Sequence, residues 1–185
     1  MKRLTLALVF GALAVPGAFL PAVGANIIER CECEPARPQT LLARECGLCR
    51  EAEKQPAGEV VFYLKDINPT KPNRWLALPR THEHSLVAMT PAERTALWTA
   101  AIAKGKELFG DHWGLALNGR RVITQCHVHV HIGKLLPGIE TDNFIIVNKP
   151  EDIPLPVDEG FWIHPQGAQF HVHRGEQITE TVLLR

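Results

Sequence analysis

Cys126-His127-Val128-His129-Val130-His131-Ile132 sets three histidines at every second position, separated by branched apolar residues. An extended chain sends alternate side chains to opposite faces. His127, His129 and His131 are therefore expected to line one side of a strand while Val128, Val130 and Ile132 enter a core on the other. A histidine in a strand is ordinarily a surface or hydrogen-bonded residue, and three at period two depart from that. The row points to a metal site or to histidine chemistry. Imidazole is a metal ligand and also, with a pKa near ~6.5, a group largely neutral at physiological pH.

The flanking segments supply the rest of an α+β fold. Glu59-Val60-Val61-Phe62-Tyr63-Leu64-Lys65 and Arg74-Trp75-Leu76-Ala77-Leu78 predict two strands, joined through the turn-forming stretch from Asp66 to Asn73. Thr90-Pro91-Ala92-Glu93 combines an N-cap, a proline at the first helical position and a capping-box glutamate, so a helix is expected to about Phe109, stopped by Gly110. Trp113-Gly114-Leu115-Ala116-Leu117 predicts a third strand ending at the turn pair Asn118-Gly119, and Trp75, Trp98 and Trp113 are expected in the core. Strand pairs flanking a long helix assemble as an antiparallel sheet with the helix packed on it.

Residues 139–185 contain Pro150, Pro154, Pro156 and Pro165 and predict a loop-rich extension with one or two short strands. Phe170-His171-Val172-His173 alternates again, with His164 nearby, and predicts a solvent-facing edge strand. A second metal site, or a flap folded over the first site, are the alternatives.

Twenty basic residues balance twenty acidic ones among 185, so no net field favours a nucleic acid or another polyanion. Lys2 and Arg3 precede an apolar run from Leu4 to about Phe19 and then Pro21-Ala22-Val23-Gly24-Ala25, which predicts a secretory signal over 1–25 cleaved after Ala25, hence export. A retained membrane anchor is the alternative, although Gly11, Pro16 and Gly17 interrupt the run. Residues 26–57 form a cysteine-bearing segment with Cys31, Cys33, Cys46 and Cys49, and a short helix is expected near Leu41–Glu53. In an oxidising compartment such cysteines form disulfides, and a C-x-x-C can equally be half of a zinc site.

The order strand, Asp66-Ile67-Asn68-Pro69, strand, Pro79-Arg80-Thr81-His82, capped helix, Asn118, His127-x-His129-x-His131 resembles the histidine triad superfamily of nucleotide hydrolases and transferases, over roughly residues 46 to 138. Thr124-Gln125 directly before the first histidine, with a proline-rich tail, is similar to the CDP-diacylglycerol pyrophosphatases, exported members of that superfamily. The usual triad pattern carries a Gly-Gln farther upstream, so Thr124-Gln125 departs from the common form.

The resemblance implies a triad-type catalytic domain over 58–138. In it His129 is the nucleophile at the α-phosphorus, and His131 binds the phosphate or assists the leaving group. Asn118 bonds a phosphate oxygen or orients a histidine. Asp66 accepts from the ribose hydroxyls, and Gln125 contacts phosphate. The resemblance further implies a structural zinc held by Cys46, Cys49, His82 and His127, with His84 as a substitute ligand. The rival is a disulfide arrangement pairing Cys46 and Cys49 with Cys31 and Cys33.

The partners implied are a nucleotide or nucleotide-lipid substrate, a membrane surface for the latter, and a second copy in a homodimer. Other functions consistent with these residues are a general triad hydrolase of dinucleoside polyphosphates or nucleoside phosphoramidates, and a non-enzymatic exported metal-binding protein.

Overall fold

The structure is a computed structural model that describes residue 28 and residues 30–185; the expected signal segment lies outside them. Thr90 begins the long helix as its neighbours require: its hydroxyl accepts from the Glu93 amide, and the Glu93 carboxylate accepts from the Thr90 amide. This helix, α2 (Pro91–Phe109), ends at Gly110, whose φ of 58° suits a residue without a Cβ. A shorter helix, α1 (Gly47–Glu53), precedes it.

The strands are β1 (Val61–Lys65), β2 (Trp75–Pro79), β3 (Trp113–Leu117), β4 (Val130–Lys134), β5 (Phe144–Val147), β6 (Gly160–Gln166) and β7 (Gln169–Glu176). They form one seven-stranded sheet in the order β1-β2-β4-β3-β6-β7-β5, with every pairing antiparallel. The expected α+β architecture, an antiparallel sheet with a long helix packed on it, is what forms.

Period-two alternation decides which residues meet α2. Trp113, Leu115, Val130, Ile132, Ile163 and Val172 are fully buried with Leu97, Trp98 and Ala101 of the helix. Burying each large side chain of this set contributes about 1.5–3 kcal/mol.

The opposite face carries a row running across six strands in register: Leu76, His131, Ala116, Trp162, His173 and Phe144. The C-terminal stretch crosses part of this face. Leu183, almost fully buried, sits over Gly114 and Gly133, a cross-strand pair; a Cβ at Gly114 would lie 2.6 Å from Leu183 Cδ2. Two glycines facing each other make the dent that receives it.

Three expectations are corrected. Residues 139–185 are not loop-rich: they add three strands and nearly double the sheet, because Phe161, Ile163, Phe170 and Val172 extend the α2-facing core. The strand containing His171 and His173 is interior, flanked by β6 and β5, and β5 is the edge. The helix expected over Leu41–Glu53 is divided into 3-10 turns at Pro38–Leu42 and Arg44–Cys46 before α1, since Ala43 is extended (φ −61°, ψ 147°).

Candidate active site

One disulfide fastens the N-terminal segment to the stretch that leads into the triad, and a second closes a loop within that segment. Cys31 is bonded to Cys126, across 95 residues of chain, and Cys33 to Cys46. The Cys126 amide also donates to Glu45 O at 2.8 Å. The residue before His127 is thereby held from two sides.

The histidine row does not lie wholly in a strand. β4 begins at Val130, so His127 and His129 occupy an extended lead-in, tied by the Val128 amide donating to Glu83 O at 2.8 Å. β2 pairs with β4 only as far as Ala77 and Val130, and β3 only as far as Ala116 and His131, so this lead-in has no ladder partner. The alternation nonetheless holds, with Val128, Val130 and Ile132 in the core. All three histidines line a cleft of about 760 Å³ on the open face. Leu48, Leu64, Ile67 and Leu76 give it an apolar wall, and Arg44, Lys65 and Lys71 stand around it.

Backbone carbonyls assign the protons of two rings. His129 Nδ1 is 2.8 Å from His127 O, and a carbonyl only accepts, so Nδ1 carries the proton and Nε2 keeps its lone pair. Burial lowers the His129 pKa below the usual histidine value, which keeps the ring neutral. His127 Nδ1 donates in the same way to Val128 O at 3.0 Å, and burial pushes this ring down to about 4. His131 is buried beside His129, their ring centroids 4.9 Å apart. Burial and that neighbour hold its pKa well down too.

One site residue was not foreseen. Glu180 arrives from the 3-10 turn Thr179–Val182 and brings Oε2 to 3.8 Å from His131 Nδ1. The same oxygen pairs with Lys71 and accepts from Arg74 Nη1 at 2.8 Å. Burial alone would raise the Glu180 carboxyl, but the permanent charges of Lys71 and Arg74 outweigh it and hold the group ionised. Arg74 is itself buried and also donates to Leu183 O and Leu184 O, so it anchors the whole C-terminal stretch. No local pattern in Thr179-Glu180-Thr181 distinguishes that glutamate from a solvated one.

Asn118 belongs to the same arrangement. Its Oδ1 accepts from the amides of Thr179 (3.0 Å) and Glu180 (3.1 Å), and its Nδ2 donates to Glu180 Oε1 at 3.4 Å. It therefore positions Glu180 against His131. Asp66 lines the cleft at the end of β1, and its Oδ1 accepts from the Asn68 amide at 2.9 Å. Gln125 lines the cleft too, with both ends of its amide bonded to the N-terminal segment: Oε1 accepts from the Leu48 amide and Nε2 donates to Arg44 O. It works as a fastener there, a duty its position before the triad did not suggest.

The four-ligand zinc set is not assembled. Cys46 is spent in its disulfide with Cys33, leaving three of the four expected ligands. Cys49 is a buried free thiol, pushed up to about 11 by its burial and so protonated. His82 and His127 do adjoin, with ring centroids 5.6 Å apart, but His82 Nε2 faces Glu53 Oε1 at 2.9 Å. The disulfide expectation is met for Cys33 and Cys46, whereas Cys31 finds Cys126 and not Cys49. Among the described residues, side chains that could hold a metal ion are instead grouped at Glu140, His164, His171 and His173; Cys33, Cys46 and Cys126 also converge, as disulfide sulfurs.

No family model matches the chain, and no curated protein matches it.

Proposed function

We propose that the cleft is the active site of an exported nucleotidyl hydrolase of the histidine triad type, which cleaves a phosphoanhydride through a nucleotidyl-His129 intermediate. One observation carries this reading. The His127 carbonyl accepts a hydrogen bond from His129 Nδ1–H, which leaves Nε2 as an unprotonated nucleophile on a ring lining the cleft.

In the first step His129 Nε2 attacks the α-phosphorus, an N–P bond forms, and the anhydride P–O bond breaks with its electrons going to the departing phosphomonoester. In the second, water attacks the same phosphorus, the N–P bond breaks, and imidazole leaves as a neutral ring while the water's proton is released. One difficult displacement becomes two easier ones. His131, neutral and adjacent, offers an N–H to a phosphate oxygen. Lys71 balances the phosphate charge, and Asp66 accepts from the ribose. Asn118 acts by positioning Glu180. This route calls on no divalent ion.

For the substrate we favour a nucleotide-lipid of the CDP-diacylglycerol class, giving CMP and phosphatidate at a membrane surface. The apolar wall formed by Leu48, Leu64, Ile67 and Leu76 supports it, and Ile67 is 98% exposed at the rim. The two disulfides are compatible with an oxidising, exported setting. Among the described residues no helix is long and apolar enough to cross a membrane.

The test is turnover of CDP-diacylglycerol against a panel of dinucleoside polyphosphates and nucleoside phosphoramidates, with wild type and His129→Ala. Hydrolysis by the wild type alone is expected, fastest on the lipid. Equal rates from a well-folded His129→Ala protein would overturn the mechanism, and preference for a soluble substrate would overturn the lipid assignment.

A further inference from the structure

Beyond the triad, the open face carries a second set of histidines. His164 on β6 is the register partner of His171 on β7, and His173 is the partner of Trp162, so three imidazoles emerge side by side. His164 stands two strands from His131 and His171 and His173 three, roughly 10–14 Å at the usual spacing. Glu140, in the connection before β5, reaches over them. Its Oε2 is 2.7 Å from His164 Nε2, and its Oε1 is 2.8 Å from His171 Nδ1 and 3.4 Å from His173 Nε2.

The rings are already aimed. His164 Nδ1 is 3.1 Å from Pro165 O, so that nitrogen donates, and in the neutral ring Nε2 is a bare lone pair. His173 Nδ1 faces Thr141 Oγ1 at 3.1 Å, a hydroxyl able to take its proton, which frees Nε2 likewise. These two Nε2 atoms face each other at 3.3 Å with a carboxylate beside them. Lone pairs so placed repel unless a cation lies among them. A tetrahedral ion with metal–nitrogen bonds of 2.0–2.1 Å sets its ligand nitrogens about 3.3 Å apart.

Stacking fixes the ring planes. His173 lies on Trp162 at 3.5 Å and 3°, and His171 on Phe144 at 3.9 Å and 10°. Outer bonds and stacks of this kind orient metal ligands in advance. Glu140 is 46% exposed and so can step back to coordination distance, and the four ligand atoms already lie within 4.8 Å of one another.

We propose that Glu140, His164, His171 and His173 form a binding site for a divalent late transition-metal ion of the zinc class. Three imidazoles and one carboxylate are the donor set such borderline cations prefer over calcium or magnesium, which favour oxygen. A cleft of about 560 Å³, lined by Glu140, His164, Lys134 and Gln166, adjoins the cluster and gives the ion an approach from solvent.

The experiment is a Zn²⁺ titration of chelator-stripped full-length protein against a chromophoric competitor, with thermal melts followed in parallel. One equivalent bound at this cluster is expected, together with a zinc-dependent rise in Tm. His171→Ala should weaken uptake at least 100-fold and Glu140→Gln at least 10-fold, and both should lose the Tm shift. His129→Ala should bind zinc as the wild type does. If His171→Ala fails to fold by near-ultraviolet circular dichroism, Glu140→Gln at an exposed carboxylate decides the matter. Absence of binding at micromolar Zn²⁺, uptake undiminished in these variants, or uptake abolished by His129→Ala would overturn the proposal.

Discussion

The two histidine sets of the open face share one sequence device, His-x-His on an extended segment, yet their carboxylates are placed differently. At the triad, Nδ1 protons of His127 and His129 are held by backbone carbonyls, and the nearby acid, Glu180, is bound up with Lys71 and Arg74. The cleft then holds a neutral nucleophile with Arg44, Lys65 and Lys71 at hand for an incoming phosphate and Asp66 and Glu51 on its other walls. In the C-terminal set a carboxylate sits directly against three rings, and in His164 and His173 the other nitrogen is tied elsewhere, which suits a cation. Alternating histidines therefore specify a geometry, and the counter-charge brought in from elsewhere specifies the chemistry.

The largest expected effect separates the two sets. His129→Ala should lower turnover by at least about 10⁴-fold, since removal of a covalent nucleophile leaves only binding effects. Zinc uptake by the same variant should be unchanged. A variant that lost both would make the face one site and break the comparison.

The triad is anchored covalently in a way the C-terminal set is not. Cys31→Ser opens the link to Cys126, which spans 95 residues, and chain entropy puts the loss of stability at roughly 4.7 kcal/mol. Urea unfolding should show it, with zinc affinity held. A loss under about 1 kcal/mol would mean the N-terminal segment does not brace the triad.

Acid should also act at the triad. His127 is pushed down to about 4 by burial, whereas in the unfolded chain it titrates near ~6.5. Below that value the unfolded state takes up a proton that the folded state refuses. The contribution of this group is thus complete above about pH 6.5 and is lost as the pH falls toward 4, by roughly 3 kcal/mol. Urea midpoints at pH 7 and pH 4.5 check the sign, and stability unchanged across that range would contradict the desolvated triad. The depressed His129 likewise predicts that the acid limb of kcat/KM lies below about pH 6.5.

The smallest effect tests the segment between the two sets. Gly114→Ala places a Cβ 2.6 Å from Leu183 Cδ2. Displacing that side chain should cost about 1–2 kcal/mol and loosen Glu180, with a modest fall in kcat. An unchanged melting curve would show that the dent is not needed.

Much of the first half of the fold was legible because its signals are local. Thr90 to Glu93 announce a helix start, Trp113–Leu117 is a strand by composition, and the Val128-Val130-Ile132 alternation sets the buried face. The C-terminal half was less legible. Its prolines lie in connections, apart from Pro165 near the end of β6, so counting them obscured the alternation of Phe161-Trp162-Ile163-His164. That His171 and His173 are interior depends on β5 pairing outside them, a long-range fact. Glu180 and the Cys31–Cys126 link are of the same kind: each is made by contact between distant segments, and no spacing encodes either. The zinc expectation failed for that reason, because a nearby cysteine pair was matched to a metal while Cys46 had a partner thirteen residues upstream.

The most direct test of the central claim is chemical trapping. Incubation with CDP-diacylglycerol labelled at the α-phosphorus, an alkaline quench and peptide mapping should place the label on the peptide containing His129, through Nε2, and His129→Ala should carry none. Turnover by wild-type protein with no labelled histidine, or label retained in His129→Ala, would contradict it.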